Sequence, residues 1–180
     1  MNKKEIKIEK GIKSYYPSLI TSLRIILLPL VLYLFFIDLR ILSFVIFILL
    51  ALTDVFDGYI ARKMNLCSSL GAYFDTIADF ILILSIFSAF VIVGIYPIWL
   101  LILIIFMFLQ FVLTSKVKMP VYDPVGKYFG TFLYASAMIT ILFQNSELYY
   151  IILVSIAIFA FISLSSRYLF LFIRWRKEKI

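Results

Sequence analysis

Long apolar runs, broken at intervals by short clusters of charge, set the pattern of this 180-residue chain. Each run approaches the roughly 20 residues that a helix needs to cross a bilayer. They predict six spans, at about 18–37, 41–62, 71–95, 97–115, 128–143 and 148–173. Pro17 opens the first and Pro97 the fourth, positions where a helix tolerates proline. Asp38 and Arg40 make a tight polar turn, and 63–70 is a short polar loop. The link 116–127 carries Pro120, Pro124 and Gly126, which argue against a continuous helix there. The turn Gln144–Glu147 precedes the last span, and a basic tail from Arg174 closes the chain. Ahead of the spans, Ile6, Ile8 and Ile12 alternate with Lys3, Lys4, Lys7, Lys10 and Lys13, which suits a short amphipathic helix on a membrane surface. The expected fold is an all-α integral membrane protein: an amphipathic juxtamembrane segment over 1–16, then one membrane domain of six transmembrane helices over 17–180, with no soluble appendage and no cleaved leader.

Composition narrows the class. With 64% hydrophobic residues and a mean hydropathy of +1.10, a soluble globular domain is excluded. The net charge of +7 does not point to nucleic acid, because the basic residues cluster at the ends of apolar runs, where anionic headgroups account for them. The N-terminus, the 63–70 loop, the 116–127 link and the C-terminal tail hold nearly all Lys and Arg, whereas the opposite loops hold Arg40. By the positive-inside rule both termini are expected in the cytoplasm. Most of the 19 Phe and 12 Tyr read as lipid-facing packing or interfacial belt. The single cysteine, Cys67, excludes an intrachain disulfide. Histidine is absent, which removes the commonest general base and transition-metal ligand.

What remains for chemistry is concentrated. Four of the ten acidic residues, Asp54, Asp57, Asp75 and Asp79, fall within 26 positions between apolar runs. Each carboxylate at membrane depth costs about 2.5–3.5 kcal/mol on insertion scales, so the group reads as functional. Four together repel one another unless cations lie between them. On helices, Asp54 and Asp57 are three apart and Asp75 and Asp79 four apart, so each pair shares a face. The short connecting loop predicts an antiparallel hairpin in which Asp57 and Asp75 face each other across a groove. Oxygen ligands without His or Cys favour a hard cation, Mg²⁺ first, then Mn²⁺, with Ca²⁺ also compatible. Two ions suit the charge better than one, and a two-metal site clamps a phosphoryl group during displacement. Gly58 and Ala61 leave room for a ligand beside the helix, and Arg62 is placed to aim a guanidinium at a phosphate.

The series Asp54, Asp57, Gly58, Ala61, Arg62, Gly71, Asp75 and Asp79 resembles the signature of the CDP-alcohol phosphatidyltransferase family, D-x2-D-G-x2-A-R-x8-G-x3-D-x3-D, at all eight fixed positions. The resemblance implies transfer of a substituted phosphate from a CDP-linked lipid, CDP-diacylglycerol or its archaeal ether counterpart, to an alcohol, with release of CMP. It implies that Asp54, Asp57, Asp75 and Asp79 bind divalent metal and that Asp79 is also the general base. It places Asp54, Gly58, Ala61 and Arg62 at the CDP site, and it implies membrane lipids and, as often in the family, a second copy of the chain as partners. Pro17-Ser-Leu-Ile20-Thr21-Ser-Leu-Arg24 is similar to the opening of phosphatidylglycerophosphate synthases, which implies that Thr21 contacts nucleotide and Arg24 a phosphate; the alternative for Arg24 is snorkelling to the interface.

The acceptor has weaker marks. Thr76 and Phe80 stand where the phosphatidylglycerophosphate synthase branch usually has proline and lysine. Gly126-Lys127-x-x-Gly130-Thr131 resembles a glycerol-phosphate motif, and Lys116, Lys118 and Lys127 are candidates for an anionic acceptor, against a purely topogenic role. Arg167, beside Ser163, Ser165 and Ser166, is a further phosphate candidate or a snorkelling cation. The preferred acceptor is sn-glycerol phosphate, with inositol phosphate, inositol or serine as alternatives. The rival class is a divalent cation transporter, which explains the charges but not the small residues and Arg62 beside them. An inactive scaffold fits poorly with a complete set of aspartates.

Overall fold

The computed structural model describes residues 26–63, 69–115 and 126–178. The described residues form six α-helices and no strand: α1 (Ile26–Phe36), α2 (Arg40–Lys63), α3 (Ser69–Ile92), α4 (Trp99–Ser115), α5 (Gly126–Leu142) and α6 (Ser146–Glu178). The chain divides into two compact units, Met1–Leu82 and Ile83–Ile180, with α3 running through the boundary.

Helix ends follow from local chemistry. At the end of α1 the Leu39 N–H donates to the Leu34 carbonyl (3.0 Å) and the Asp38 N–H to the Phe35 carbonyl (3.2 Å). This Schellman closure needs a left-handed residue, and Asp38 takes it at φ 63°. A short polar side chain tolerates that conformation better than most. The Asp38 carboxylate also accepts from Arg40 Nε at 2.6 Å, and the guanidinium lies 5.6 Å from the centroid of the Phe35 ring. The same closure ends α3: the Ile95 N–H donates to the Phe90 carbonyl and the Gly94 N–H to the Val91 carbonyl, with Gly94 at φ 85°. At α6, Asn145 Oδ1 accepts from the Glu147 and Leu148 N–H groups, an N-cap, and Glu147 adds a favourable charge to the first turn.

In the first unit a buried hydrogen bond joins two helices: Ser43 Oγ on α2 donates to the Val31 carbonyl on α1 at 3.0 Å. Val31, Phe47 and Leu50 are buried there as well. In the second unit α6 packs against α4 and α5. Among the described side chains, the buried positions of α5 are Phe129, Leu133, Ser136, Ala137, Thr140 and Ile141, and those of α6 are Ile152, Ile156, Ala160, Ser163 and Arg167. Both sets recur at three- and four-residue steps, so each helix buries one stripe. Phe132 stacks on Phe159 with centroids 4.9 Å apart.

Helix boundaries differ from the sequence expectation by a few residues, and three of the differences change the reading. α3 stops at Ile92, short of the expected Ile95, because Gly94 supplies the left-handed stop. α5 starts at Gly126, so Gly126 and Lys127 belong to its first turn and not to the link. α6 continues through Arg174, Arg176 and Lys177 to Glu178, because no Gly or Pro interrupts it and cations stabilise a helix C-terminus. Of the six expected spans, one described helix segment, Ser146–Tyr168, is long and apolar enough to cross a membrane; the other apolar segments are shorter. The expected amphipathic segment 1–16 lies outside the described residues.

Candidate functional site

Asp54, Asp57, Gly58, Ala61 and Arg62 all lie in α2, and Gly71, Asp75 and Asp79 in α3, all within the first unit. Both helices are continuous through these positions. Helical rise then separates Asp54 from Asp57 by about 4.5 Å and Asp75 from Asp79 by about 6 Å, each pair on one face. The backbone therefore supplies two pairs of carboxylates on consecutive helices, the arrangement that the spacing requires. The side chains of residues 54–75 lie outside the described residues, and the expected approach of Asp57 to Asp75 falls there with them.

Asp79 is the member of the set whose side chain is described. It is half-buried and engaged in a polar or electrostatic contact. Ala78 beside it is buried, as are Leu82 and Ile83, three and four residues on. Asp79 thus stands where the polar start of α3 gives way to its apolar remainder, and an apolar floor on one side raises the strength of any charge interaction it makes. Among the described residues no three Asp, Glu or Cys side chains converge. Hard-cation binding by this donor set is consistent with its chemistry, since carboxylate oxygens are the ligands Mg²⁺ and Mn²⁺ prefer.

The remaining candidates separate. Thr21, Arg24, Lys116 and Lys118 lie outside the described residues, and Lys127 has a described backbone, in α5, but not a described side chain. Arg167 is described, and it corrects the snorkelling alternative: it is 6% exposed and continues the buried stripe of α6 one turn after Ser163. It makes a contact of its own. An arginine at that depth is held by packing and polar partners, not by reaching solvent.

One polar feature of the second unit was assigned to bulk aromatic packing by the sequence. Tyr96, 3% exposed, lies in the α3–α4 connector, and its hydroxyl is 2.7 Å from Thr140 Oγ1 on α5. Thr140 Oγ1 donates in turn to the Ser136 carbonyl at 2.7 Å. The Thr140 proton is therefore committed, and Tyr96 is the donor of the pair. The Tyr96 ring stacks on Phe87 and meets Phe90 and Tyr149 edge-on. Burial pushes its phenol up to about 12, against the lowering effect of the Thr140 hydrogen bond. The signal available in sequence was Ser136 and Thr140 four apart on an otherwise apolar helix, a hydroxyl pair in want of a partner.

Comparison with known proteins bears on the whole arrangement. The family model described as CDP-alcohol phosphatidyltransferase matches residues 14–164, which include both halves of the aspartate series. Among curated proteins, the CDP-diacylglycerol–glycerol-3-phosphate 3-phosphatidyltransferase of Rickettsia prowazekii is 42% identical over 81 residues, 43% of this chain and 42% of the relative. The protein of the same description from Rickettsia typhi is 46% identical over 70 residues, 37% of this chain and 39% of the relative. That from Wigglesworthia glossinidia brevipalpis is 44% identical over 70 residues, 37% and 38% of the two chains. The matched stretches thus span about two fifths of these relatives' length.

Proposed function

The chain belongs to the CDP-alcohol phosphatidyltransferase family, and from that premise we propose that it transfers a phosphatidyl-type group from a CDP-linked lipid to sn-glycerol phosphate, releasing CMP. The observation that carries this reading is the placement of all eight signature residues on two consecutive helices inside the matched region. The acceptor is supported by the relatives, which are described as CDP-diacylglycerol–glycerol-3-phosphate 3-phosphatidyltransferases.

In this mechanism the acceptor hydroxyl oxygen attacks the lipid-side phosphorus of the CDP-lipid. A new P–O bond forms, the pyrophosphate P–O bond breaks, and CMP departs with the bridging oxygen and its electron pair. Asp79 takes the hydroxyl proton; a positioned base contributes about 10²–10⁴-fold in rate. Asp54, Asp57, Asp75 and Asp79 would hold two Mg²⁺ or Mn²⁺ ions. Ions held there would supply positive charge against the pyrophosphate and against the charge that develops on leaving CMP. Gly58 and Ala61 are small enough to admit the cytidine diphosphate beside α2, Thr21 is assigned to the nucleotide and Arg62 to a phosphate. Lys116, Lys118, Lys127 and Arg167 supply cationic groups for a phosphorylated acceptor.

The six helices cross the membrane in this reading, with the aspartates and both termini on the cytoplasmic side. On α6, Glu147 and Arg167 bound a charge-free run, and 20 residues of rise put them about 30 Å apart, the thickness of a hydrocarbon core. Exposed Tyr150 and Tyr168 mark the same two levels, as interfacial aromatics do. Hydroxyls within the helices are turned back onto backbone carbonyls, Thr53 to Leu49, Ser88 to Leu84 and Ser155 to Ile151, which satisfies them without water.

The test is direct. Membranes carrying the protein are incubated with CDP-diacylglycerol, Mg²⁺ and one of glycerol phosphate, inositol phosphate, inositol or serine, and CMP is measured. Release with glycerol phosphate alone is the expected result. Release with another acceptor overturns the acceptor assignment, and no release with any of them overturns the reaction.

A further inference from the structure

Between Asp79 and Lys116 the chain carries no charged residue for 36 positions, yet in that stretch it completes one helix, turns and builds another. The turn is the α3–α4 connector, Val93–Ile98. A connector that reaches water normally brings polar side chains with it, as the α5–α6 turn does with Gln144, Asn145, Ser146 and Glu147, all exposed. This one exposes apolar groups: Ile92 is 74% exposed and Ile98 68%, with Val93 and Trp99 exposed beside them.

Several of its polar groups are met from within. The Val93, Gly94 and Ile95 N–H groups donate to the Ala89, Val91 and Phe90 carbonyls, Pro97 has no N–H, and the Leu100 and Leu101 N–H groups donate to the Pro97 and Ile98 carbonyls. The one side-chain hydroxyl of the connector, on Tyr96, is spent on Thr140. The hairpin is also short. From Asp79 to Ile92 the rise along α3 is about 20 Å, and from Ser115 back to Trp99 along α4 about 24 Å, both less than the roughly 30 Å of hydrocarbon. Sinking Asp79 by one helical turn, about 5.4 Å, still leaves the first leg near 25 Å.

Accepting the membrane reading above, on which this inference rests, we propose that the α3–α4 connector does not emerge into water but lies in the interfacial layer of the far leaflet, with Ile92, Val93 and Ile98 against lipid acyl chains and Trp99 at the headgroup boundary. The occupant of this apolar surface is lipid. The backbone groups of the connector that find no partner within the protein need headgroups or interfacial water, which the interfacial layer supplies and the hydrocarbon core does not. Trp at such a boundary has an apolar body in the chains and an N–H toward the headgroups.

The test uses the full-length protein with Cys67→Ser as background and single cysteines at Val93, Ile98 or, as the aqueous reference, Ser146. Membranes are opened by freeze–thaw, so that a membrane-impermeant maleimide reaches both faces. Thiols in apolar surroundings are poorly ionised, and labelling at Val93 and Ile98 is expected to be at least about ten-fold slower than at Ser146. A bimane placed at Ile98 before reconstitution is expected to be quenched by nitroxide-bearing lipid and not by aqueous iodide. Labelling of Ile98→Cys as fast as Ser146→Cys overturns the inference. So does protection without quenching by nitroxide lipid, which would assign the surface to a second copy or another protein. Alkaline carbonate extraction separates this failure from failure of the membrane reading: protein retained in the pellet with equal labelling at all sites sinks the connector inference alone, and release into the supernatant sinks both.

Discussion

Replacing Thr140 with valine should cost the protein more than replacing Tyr96 with phenylalanine, although both changes break the same 2.7 Å hydrogen bond. The donors are ordered, Tyr96 to Thr140 and Thr140 to the Ser136 carbonyl. Tyr96→Phe removes a donor and leaves Thr140 still bonded to Ser136; the ring keeps its contacts with Phe87, Phe90 and Tyr149. The loss is one net hydrogen bond, about 1 kcal/mol. Thr140→Val is isosteric but strands the phenol in a site that is 3% exposed, which costs the desolvation of an unpaired donor, about 1–3 kcal/mol. The double variant has no stranded group and should recover about 1 kcal/mol relative to Thr140→Val alone. Reversible unfolding in mixed micelles, titrated with SDS and followed by tryptophan emission, reads all four corners of the cycle; Trp99 lies three residues from Tyr96. Additive effects of the two substitutions would refute the assigned donor order and the coupling. A pH arm tests the same residue independently. The folded-state pKa is raised, to about 12 from 10, so the stabilising contribution is complete below pH 10 and is lost between pH 10 and 12 as the unfolded phenol ionises, at about 1.4 kcal/mol per pH unit. Tyr96→Phe should remove that alkaline loss.

Four further outcomes are expected. Asp79→Asn should lower CMP release by about 10²–10⁴-fold while the SDS unfolding midpoint stays close to that of the parent, and intact turnover would remove it from the role of base. Chelation with EDTA should abolish CMP release, and Mg²⁺ or Mn²⁺ should restore it, measured in the same assay. Ser43→Ala should destabilise the α1–α2 pair by about 1 kcal/mol in SDS titration, since it leaves the Val31 carbonyl without its interhelical donor. Asp38→Ala should cost about 1–2 kcal/mol because alanine resists φ 63°, whereas Asp38→Gly should be close to neutral: the ion pair it loses is exposed and worth little.

Much of this protein was legible before any coordinates. The all-helical character and the approximate position of each helix followed from apolar run length, because a chain with 64% hydrophobic residues has few other ways to satisfy its backbone. The aspartate series and its pairing on helix faces followed from spacing alone, since three and four residues are near one turn. Helix ends were less legible. Gly94 stops α3 through a left-handed closure, while nothing in composition marks that α6 runs on through its basic tail.

What tertiary structure decided is where the isolated polar groups go. Sequence left Arg167 between a phosphate ligand and a snorkelling surface cation; its burial depends on which stripe of α6 meets its neighbours, a property of packing that no single helix carries. Tyr96 looked like one more interfacial aromatic, and its partner Thr140 is 44 residues away. Local periodicity reports which face of a helix is apolar, not which distant hydroxyl lies opposite it. The signature carboxylates were readable because they are set by short-range spacing on consecutive helices; the polar contacts that fasten the helices to one another were not, because they exist only once the chain has folded.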